Sequence, residues 1–287
     1  MKILAWRVFL FALLASTLAA ASHNIQDEVG RKVAVPDQPH RLVCLAPSIT
    51  DTVYELGSGA EIVGITDYTK YPPEAAQKPS VGGVINPSLE KIASLHPDLI
   101  LAIGDLNTFG MVRSLEQMGF PVFVVQPHGV EGIYRSIGSI GEAINQRDRA
   151  GALIVRLRER ERAVRKRAAG KKAPSVFFVL WADPIMTVGR GAFITELIEI
   201  AGGNSITADM PNEWPRVSLE ALISRQPEYV LIDRDSAVTI ESLQRQAGWR
   251  SLGAITAGRV LYVDDRINFP SPVVFDVLED LARQLHP

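Results

Sequence analysis

The sequence predicts an α/β protein of two Rossmann-like lobes, bridged by a single long rigid α-helix, with a ligand cleft between the lobes. Three observations carry this. Short apolar runs alternate with helical patterns along most of the chain, as expected for mostly parallel sheets covered by helices. Residues 88–105 (SLEKIASLHPDLILAIGD) return as residues 218–235 (SLEALISRQPEYVLIDRD), with Ser, Leu, Glu, Pro, an acid and a closing Asp matched at a constant offset of 130. Read as a repeat, this makes two lobes of one design. Between the copies lies a charged stretch with helical periodicity and no proline before Pro174.

The elements follow in chain order. Lys2 and Arg7 precede an apolar run, Val8–Leu18, and then small residues, Ala19-Ala20-Ala21-Ser22. A basic start, a short apolar run and an A-x-A site read as a signal peptide over 1–21. The run is shorter than the roughly 20 residues of a spanning helix; the competing reading is an anchor that is never cleaved. Strands are expected at 42–46, 62–66, 99–103, 122–126, 176–181, 229–233 and 260–263. Helices are expected at 48–57, 88–95, 108–118, 131–144, 192–201, 218–224 and 272–285. Within 146–172, Ala150, Leu153, Ile154, Leu157 and Val164 recur near helical spacing, and Glu159 and Glu161 precede Arg162 and Arg165 on one face. The domain reading is therefore a first lobe at 22–145, a linking helix at 146–172 and a second lobe at 173–287. A helical connector is stiff, so only small changes in lobe angle are expected.

Composition removes several classes of function. With 47% hydrophobic and 22% charged residues the chain is neither disordered nor collagen-like. Its 30 basic and 32 acidic residues leave a net charge of −2, which argues against a nucleic-acid partner. Cys44, the only cysteine, lies in the apolar run Leu42–Leu45 and reads as a core residue; it is also not placed as a lipid-anchor cysteine, which would directly follow the leader's apolar run. No stretch beyond the leader is long and apolar enough to cross a bilayer.

Ligands of open α/β sheets bind beyond the carboxyl ends of the strands, so the loops there are the candidates. They hold Tyr68 and Tyr71 in Asp67–Pro73, Trp214 in Asn212–Pro215, and Phe269 in Asn268–Pro270, and Trp181 ends the strand 176–181. Aromatic faces in such loops suit a large planar ligand; the alternative for each is packing within its own lobe. Asp105, Asn107, Arg190, Asp265, Arg266 and Asn268 are the polar candidates, suited to amides or carboxylates, although such loop residues also make turns and caps. His128 is a candidate axial ligand for iron, with a turn or surface histidine as the competing reading. The chain lacks G-x-S-x-G, G-x-x-x-x-G-K-[ST] and H-E-x-x-H, Gly189-Arg190-Gly191 lacks a third glycine, and the five histidines are scattered. No catalytic residue and no metal site is therefore assigned. A secreted enzyme of the same shape would need an acid–base pair that the order of residues does not reveal.

Taken as a set, HRLVCLAPSITDTVYELG, GITDYTKYPPEA, SLEKIASLHPDLIL, GRGAFITELIEIAGGNSI, EWPRVSLEALISRQPEYVLI and GRVLYVDD resemble the periplasmic solute-binding proteins of ABC importers. The branch is the one that takes iron complexes, haem and vitamin B12, and the likeness runs from His40 to the C-terminus. It implies a monomeric periplasmic receptor without enzymatic activity or a cofactor of its own. It is most similar to the vitamin B12 (cobalamin) receptors of that branch. Asp67–Pro73 resembles their Y-x-x-Y-P-P loop, which implies Tyr68 against the corrin; Trp214-Pro215 matches a W-P loop beside the ligand. Asp265–Phe269 aligns with a D-W-F-E-R stretch of which only Asp265 is kept, and Val84 and Ile103 stand where tryptophans are expected. The resemblance thus implies a corrinoid ligand, with haem or a ferric siderophore as the alternative. It also implies that Glu90 and Glu220, the acids matched in the repeat, dock into a permease dimer. The local reading of both is an acid favoured in the first turn of a helix.

Overall fold

The structure, a computed structural model, describes residues 21–287. The leader read at 1–21 lies outside the described residues except for Ala21. The described chain opens with an antiparallel hairpin of β1 (Ser22–Gln26) and β2 (Lys32–Pro36). Ile25, Val33 and Val35 are its buried side chains, too sparse a pattern to stand out in the sequence.

The first lobe follows as β3 (Leu42–Cys44), α1 (Pro47–Glu55), β4 (Ile62–Gly64), α2 (Leu89–Ser94), β5 (Leu99–Ile103), α3 (Phe109–Gln117), β6 (Val122–Val125) and α4 (Gly129–Ala143). Its strands are parallel in the order β4-β3-β5-β6. After α5 (Arg147–Ala168) comes the second lobe: β7 (Ser175–Val179), β8 (Trp181–Ala182), β9 (Ile185–Met186), α6 (Phe193–Ile200), β10 (Asn204–Ser205), α7 (Leu219–Arg225), β11 (Tyr229–Asp233), α8 (Ile240–Arg245), α9 (Gly253–Thr256), β12 (Val260–Val263) and α10 (Val274–Leu285). Its parallel sheet runs β10-β7-β11-β12. In both sheets the lobe's first strand is second in order, its successor takes the edge, and the next two extend the other side.

The repeat is therefore real in three dimensions, and it extends to detail. α2 and α7 are capped alike: Ser88 Oγ accepts from Lys91 N and Ser218 Oγ from Ala221 N, both at 3.2 Å. Each helix is followed by a left-handed residue, His96 (φ 47°) and Gln226 (φ 40°), which turns the chain into the proline and the strand. One strand differs from expectation. The run 176–181 ends as a strand at Val179, and Trp181 opens the separate β8–β9 hairpin, paired with Met186.

Each sheet is covered on both faces. Val43, Ile100, Val122 and Leu115 form an outer core in the first lobe, and Phe177, Val230, Leu243 and Trp249 form one in the second. The inner faces belong to one apolar cluster that runs through α4, α5, α6 and α10 and so joins the lobes. Cys44 lies in it, fully buried as expected, and burial pushes its thiol up to about 12.

The charged helix is α5, 22 residues and hence about 33 Å long. It buries Ala150, Leu153, Leu157 and Val164. Gly141 of α4 lets the two helices touch, because a Cβ there would meet Ala150 Cβ at 2.4 Å. Arg158 forks onto Glu131 of α4 at 2.7 and 2.8 Å, while Arg160 reaches Glu279 and Asp276 of α10 at 2.7 and 2.6 Å. Tyr134 of α4 donates to Glu161 of α5 and stacks on Phe275 of α10, with ring centroids 5.3 Å apart. The helix is thus fastened to both lobes by Arg158, Arg160 and Glu161, while Glu159, Arg162 and Lys166 lie on its exposed face.

Candidate ligand-binding cleft

In a 2-1-3-4 parallel sheet the connections from strands 1 and 3 diverge, leaving a crevice at their carboxyl ends. Here that places a crevice beyond β3 and β5 in one lobe and beyond β7 and β11 in the other. Two cavities open there. One, of about 380 Å³, takes Ile103, Leu106 and His128 from the first lobe and Phe193, Glu213 and Trp214 from the second. The other, of about 630 Å³, is lined by second-lobe residues alone, including Trp181, Asp183, Asp233 and Gln246. Leu180 and Met186 line both.

The loops are built to hold these side chains. Asn107 is buried; its Oδ1 accepts from Ile103 N and its Nδ2 donates to Val84 O, both at 2.7 Å. It therefore ties two loops of the first lobe together. Trp214 is 42% exposed and meets Phe193 edge-on, with centroids 6.4 Å apart. Its loop is clamped by Gly189 N and Thr187 N, which donate to Glu213 O and Pro215 O. Gly189 is required there, since a Cβ would fall 2.1 Å from Asn212 O. Trp181, 56% exposed, is held by its Nε1, which donates to Asp183 O at 2.8 Å.

His128, at the N-cap of α4, crosses the cleft. Its Nδ1 lies 3.2 Å from Glu213 Oε1 of the opposite lobe, and its Nε2 is 3.7 Å from Asp105 Oδ2 of its own. A second tie lies at Lys70, whose Nζ is 3.3 Å from Asp265 Oδ2 and 3.6 Å from Asp235 Oδ2. A third is buried: Ser271 Oγ donates to Asp51 Oδ2 at 3.2 Å. Burial pushes the Asp51 carboxyl up to about 7, with the Ser271 hydroxyl acting against it.

The candidates from sequence fall into separate groups. Trp214 and Asn268 line the smaller cavity and Trp181 the larger. Tyr68 is 66% exposed on the loop that leads to Lys70, outside both linings. Asp265 is only 6% exposed and faces Lys70; burial raises its carboxyl and the lysine opposes that shift. Arg266 is engaged by Asp264 and Asp276 and lies over the Tyr71 ring, 5.5 Å from its centroid. Phe269 is half-buried and lines neither cavity. Arg190 is exposed and donates to Asp209 O. Sequence reasoning missed Leu106 and Met186, which line the smaller cavity. The signal for Leu106 was present: an apolar residue in the otherwise polar loop after β5.

Glu90 and Glu220 are exposed in the first turns of α2 and α7. A helix that leads into a parallel strand runs antiparallel to it, so both first turns lie at the carboxyl ends of the sheets, on the cleft side. The Glu220 carboxyl is held below the usual carboxylate range by its own backbone N–H and the Ser218 hydroxyl.

The cavities share one electrostatic trait. Asp105, Glu213, Asp183 and Asp233 line them, and no lysine or arginine does. Burial raises the Asp233 carboxyl. Among the described residues no three His, Cys, Asp or Glu side chains are grouped to hold a metal ion, and no helix is long and apolar enough to cross a membrane.

Two similar parallel lobes, a long helix fastened to both and an aromatic-lined cleft between them define a two-lobed solute-binding protein. The family model described as periplasmic binding protein matches residues 42–267, and the chain belongs to that family. Relatives agree with this. The chain is 28% identical to an ABC transporter substrate-binding lipoprotein of Bacillus subtilis, covering 92% of this chain and 85% of that one. It is 28% identical to a vitamin B12-binding protein of Vibrio cholerae, covering 88% and 91%. The solved structure of the periplasmic vitamin B12 binding protein BtuF of Vibrio cholerae superposes with a TM-score of 0.74 at 26% identity, over 86% of this chain and 96% of that one. A periplasmic heme-binding protein, RhuT of a Roseiflexus species, shares the fold with a TM-score of 0.79 at 24% identity, over 86% and 98%.

Proposed function

We propose that this protein is a periplasmic receptor that captures a corrinoid, cobalamin or a close relative, in the cleft and delivers it to the permease of an ABC importer. One observation carries the choice of ligand: the cleft is aromatic and acidic, with no lysine or arginine in either cavity lining. A corrinoid presents a broad apolar ring edged with primary amides, which donate to carboxylates and bring no repulsive charge. Haem brings two propionates, and ferric siderophores are commonly anionic. In a partly dehydrated cleft, like charges a few ångströms apart cost about 1–4 kcal/mol per pair. The relatives named for vitamin B12 support the same choice.

In this reading Trp214 stacks on or flanks the ring, Tyr68 closes over it from the first lobe, Asn268 offers an amide, and Trp181 meets the part of the ligand that enters the larger cavity. Asp265 and Arg266 act one step back, holding the Tyr68 loop through Lys70 and Tyr71. Residues 22–145 and 173–287 form the lobes and 146–172 the stiff link. The chain carries out no covalent chemistry. The segment 1–21 directs export, and Glu90 and Glu220 engage the two permease subunits.

The test is calorimetric titration of residues 22–287 with cyanocobalamin and, in parallel, haemin. One-to-one binding of cyanocobalamin that weakens at least tenfold in Trp214→Ala supports the reading. Haemin binding without cyanocobalamin binding overturns the ligand and keeps the receptor.

A further inference from the structure

The 630 Å³ cavity is more than the second-lobe half of the cleft. It lies where β7 and β11 end, since Leu180 and Trp181 follow one strand and Asp233 closes the other. These neighbours flank the point at which strand order reverses, where an open parallel sheet forms its binding crevice. Leu180 and Met186 stand between it and the interlobe cavity, so a ligand gripped by both lobes would reach it only with an appended group.

The lining specifies that group. Trp181 offers an exposed indole face whose orientation is fixed twice, by Nε1 donating to Asp183 O and by its pairing with Met186 in the hairpin. The Asp183 carboxylate and the Gln246 amide make no hydrogen bond with other described residues, while Asp233 already accepts from Asp235 N at 2.8 Å and Asn268 Nδ2 at 2.7 Å. With Ala182 and Val238 as apolar wall and no cation in the lining, the chamber suits a flat, uncharged ring that brings N–H donors of its own.

We infer that this chamber is a separate subsite for a planar, amine-bearing nitrogen heterocycle carried by the ligand, stacked on Trp181 with its amine directed to Asp183 and a ring nitrogen facing Gln246. The inference rests on the corrinoid reading. Complete corrinoids carry a nucleotide arm, and its base is the part that varies. Adenine has the exocyclic amine and the accepting ring nitrogen; dimethylbenzimidazole has methyl groups on that edge. The chamber therefore selects among corrinoids, in favour of an aminopurine base. The arm's phosphate meets no cation there and stays outside.

Three corrinoids separate the possibilities: the adenine-based form (pseudocobalamin), cyanocobalamin, and dicyanocobinamide, which lacks the base altogether. Calorimetry is expected to show the adenine form binding at least tenfold more tightly than cyanocobalamin. Gln246→Ala and Trp181→Ala should each weaken the adenine form about tenfold and leave cobinamide within twofold. Trp181→Phe, which keeps a flat face, should recover most of the loss and shows that the fold is intact. Equal affinity for all three, or an equal loss for all three in Trp181→Ala, overturns the subsite and leaves the corrinoid reading standing. Binding of none overturns both.

Discussion

Replacing Asp51 by asparagine should stabilise the protein above neutral pH. Asp51 is 3% exposed in α1, and its one hydrogen-bond donor is the fully buried Ser271 hydroxyl of the other lobe. Burial pushes the carboxyl from 3.8 to about 7, and the nearby Arg266 charge does not offset that. The folded protein therefore holds this proton to higher pH than the unfolded chain. Where the folded state binds more protons, stability falls as pH rises, here between about 4 and 7. A rise from 3.8 to about 7, at about 1.4 kcal/mol for each tenfold change in proton affinity, makes the penalty approach about 4 kcal/mol at pH 8. The asparagine side chain would keep an oxygen to accept from Ser271 and carry no charge. Urea unfolding should show the variant ahead of wild type by about 1–2 kcal/mol at pH 5 and by about 4 kcal/mol, as an order of magnitude, at pH 8. A variant that is equally or less stable at pH 8 would refute the claim that an uncompensated buried carboxyl sits between the lobes.

Further expectations concern the loops and the rim. Gly189→Ala should destabilise by about 1–3 kcal/mol through its clash with Asn212 O, and should also shift Trp214 fluorescence; thermal unfolding and emission spectra read both. Lys70→Met removes an exposed partner of Asp265, so a loss of about 1 kcal/mol or less in denaturant unfolding is expected, and a loss above about 3 would mean that the pair is not solvent-screened. Glu90→Lys with Glu220→Lys should abolish cobalamin uptake in cells carrying the cognate importer while leaving the affinity of the purified protein unchanged; a fall in affinity would place these acids in the ligand site instead.

The lobes were legible because strand–helix alternation and the 130-residue repeat are local patterns, and local patterns survive in sequence. The β1–β2 and β8–β9 hairpins were not, for β1–β2 buries few apolar side chains and β8–β9 has only two residues in each strand. The cleft was read in outline from Trp181, at the end of an expected strand, and Trp214, in a loop. The split between side chains that face the cleft and side chains that tie the lobes was invisible. Asp265 and Asp233 look alike in sequence, but one is buried against Lys70 from 195 positions away and the other lines a cavity. His128 faces Glu213 only because the lobes meet there. Contacts between lobes depend on the packing of α4, α5 and α10, which no single segment encodes.

Hydrogen–deuterium exchange of residues 22–287, with and without cyanocobalamin, tests most directly whether a corrinoid is held between the lobes. Slowed exchange is predicted in both lobes together, at 66–73 and 103–109 in the first and at 180–186 and 212–216 in the second. Protection confined to one lobe, or none at saturating ligand, would contradict the account.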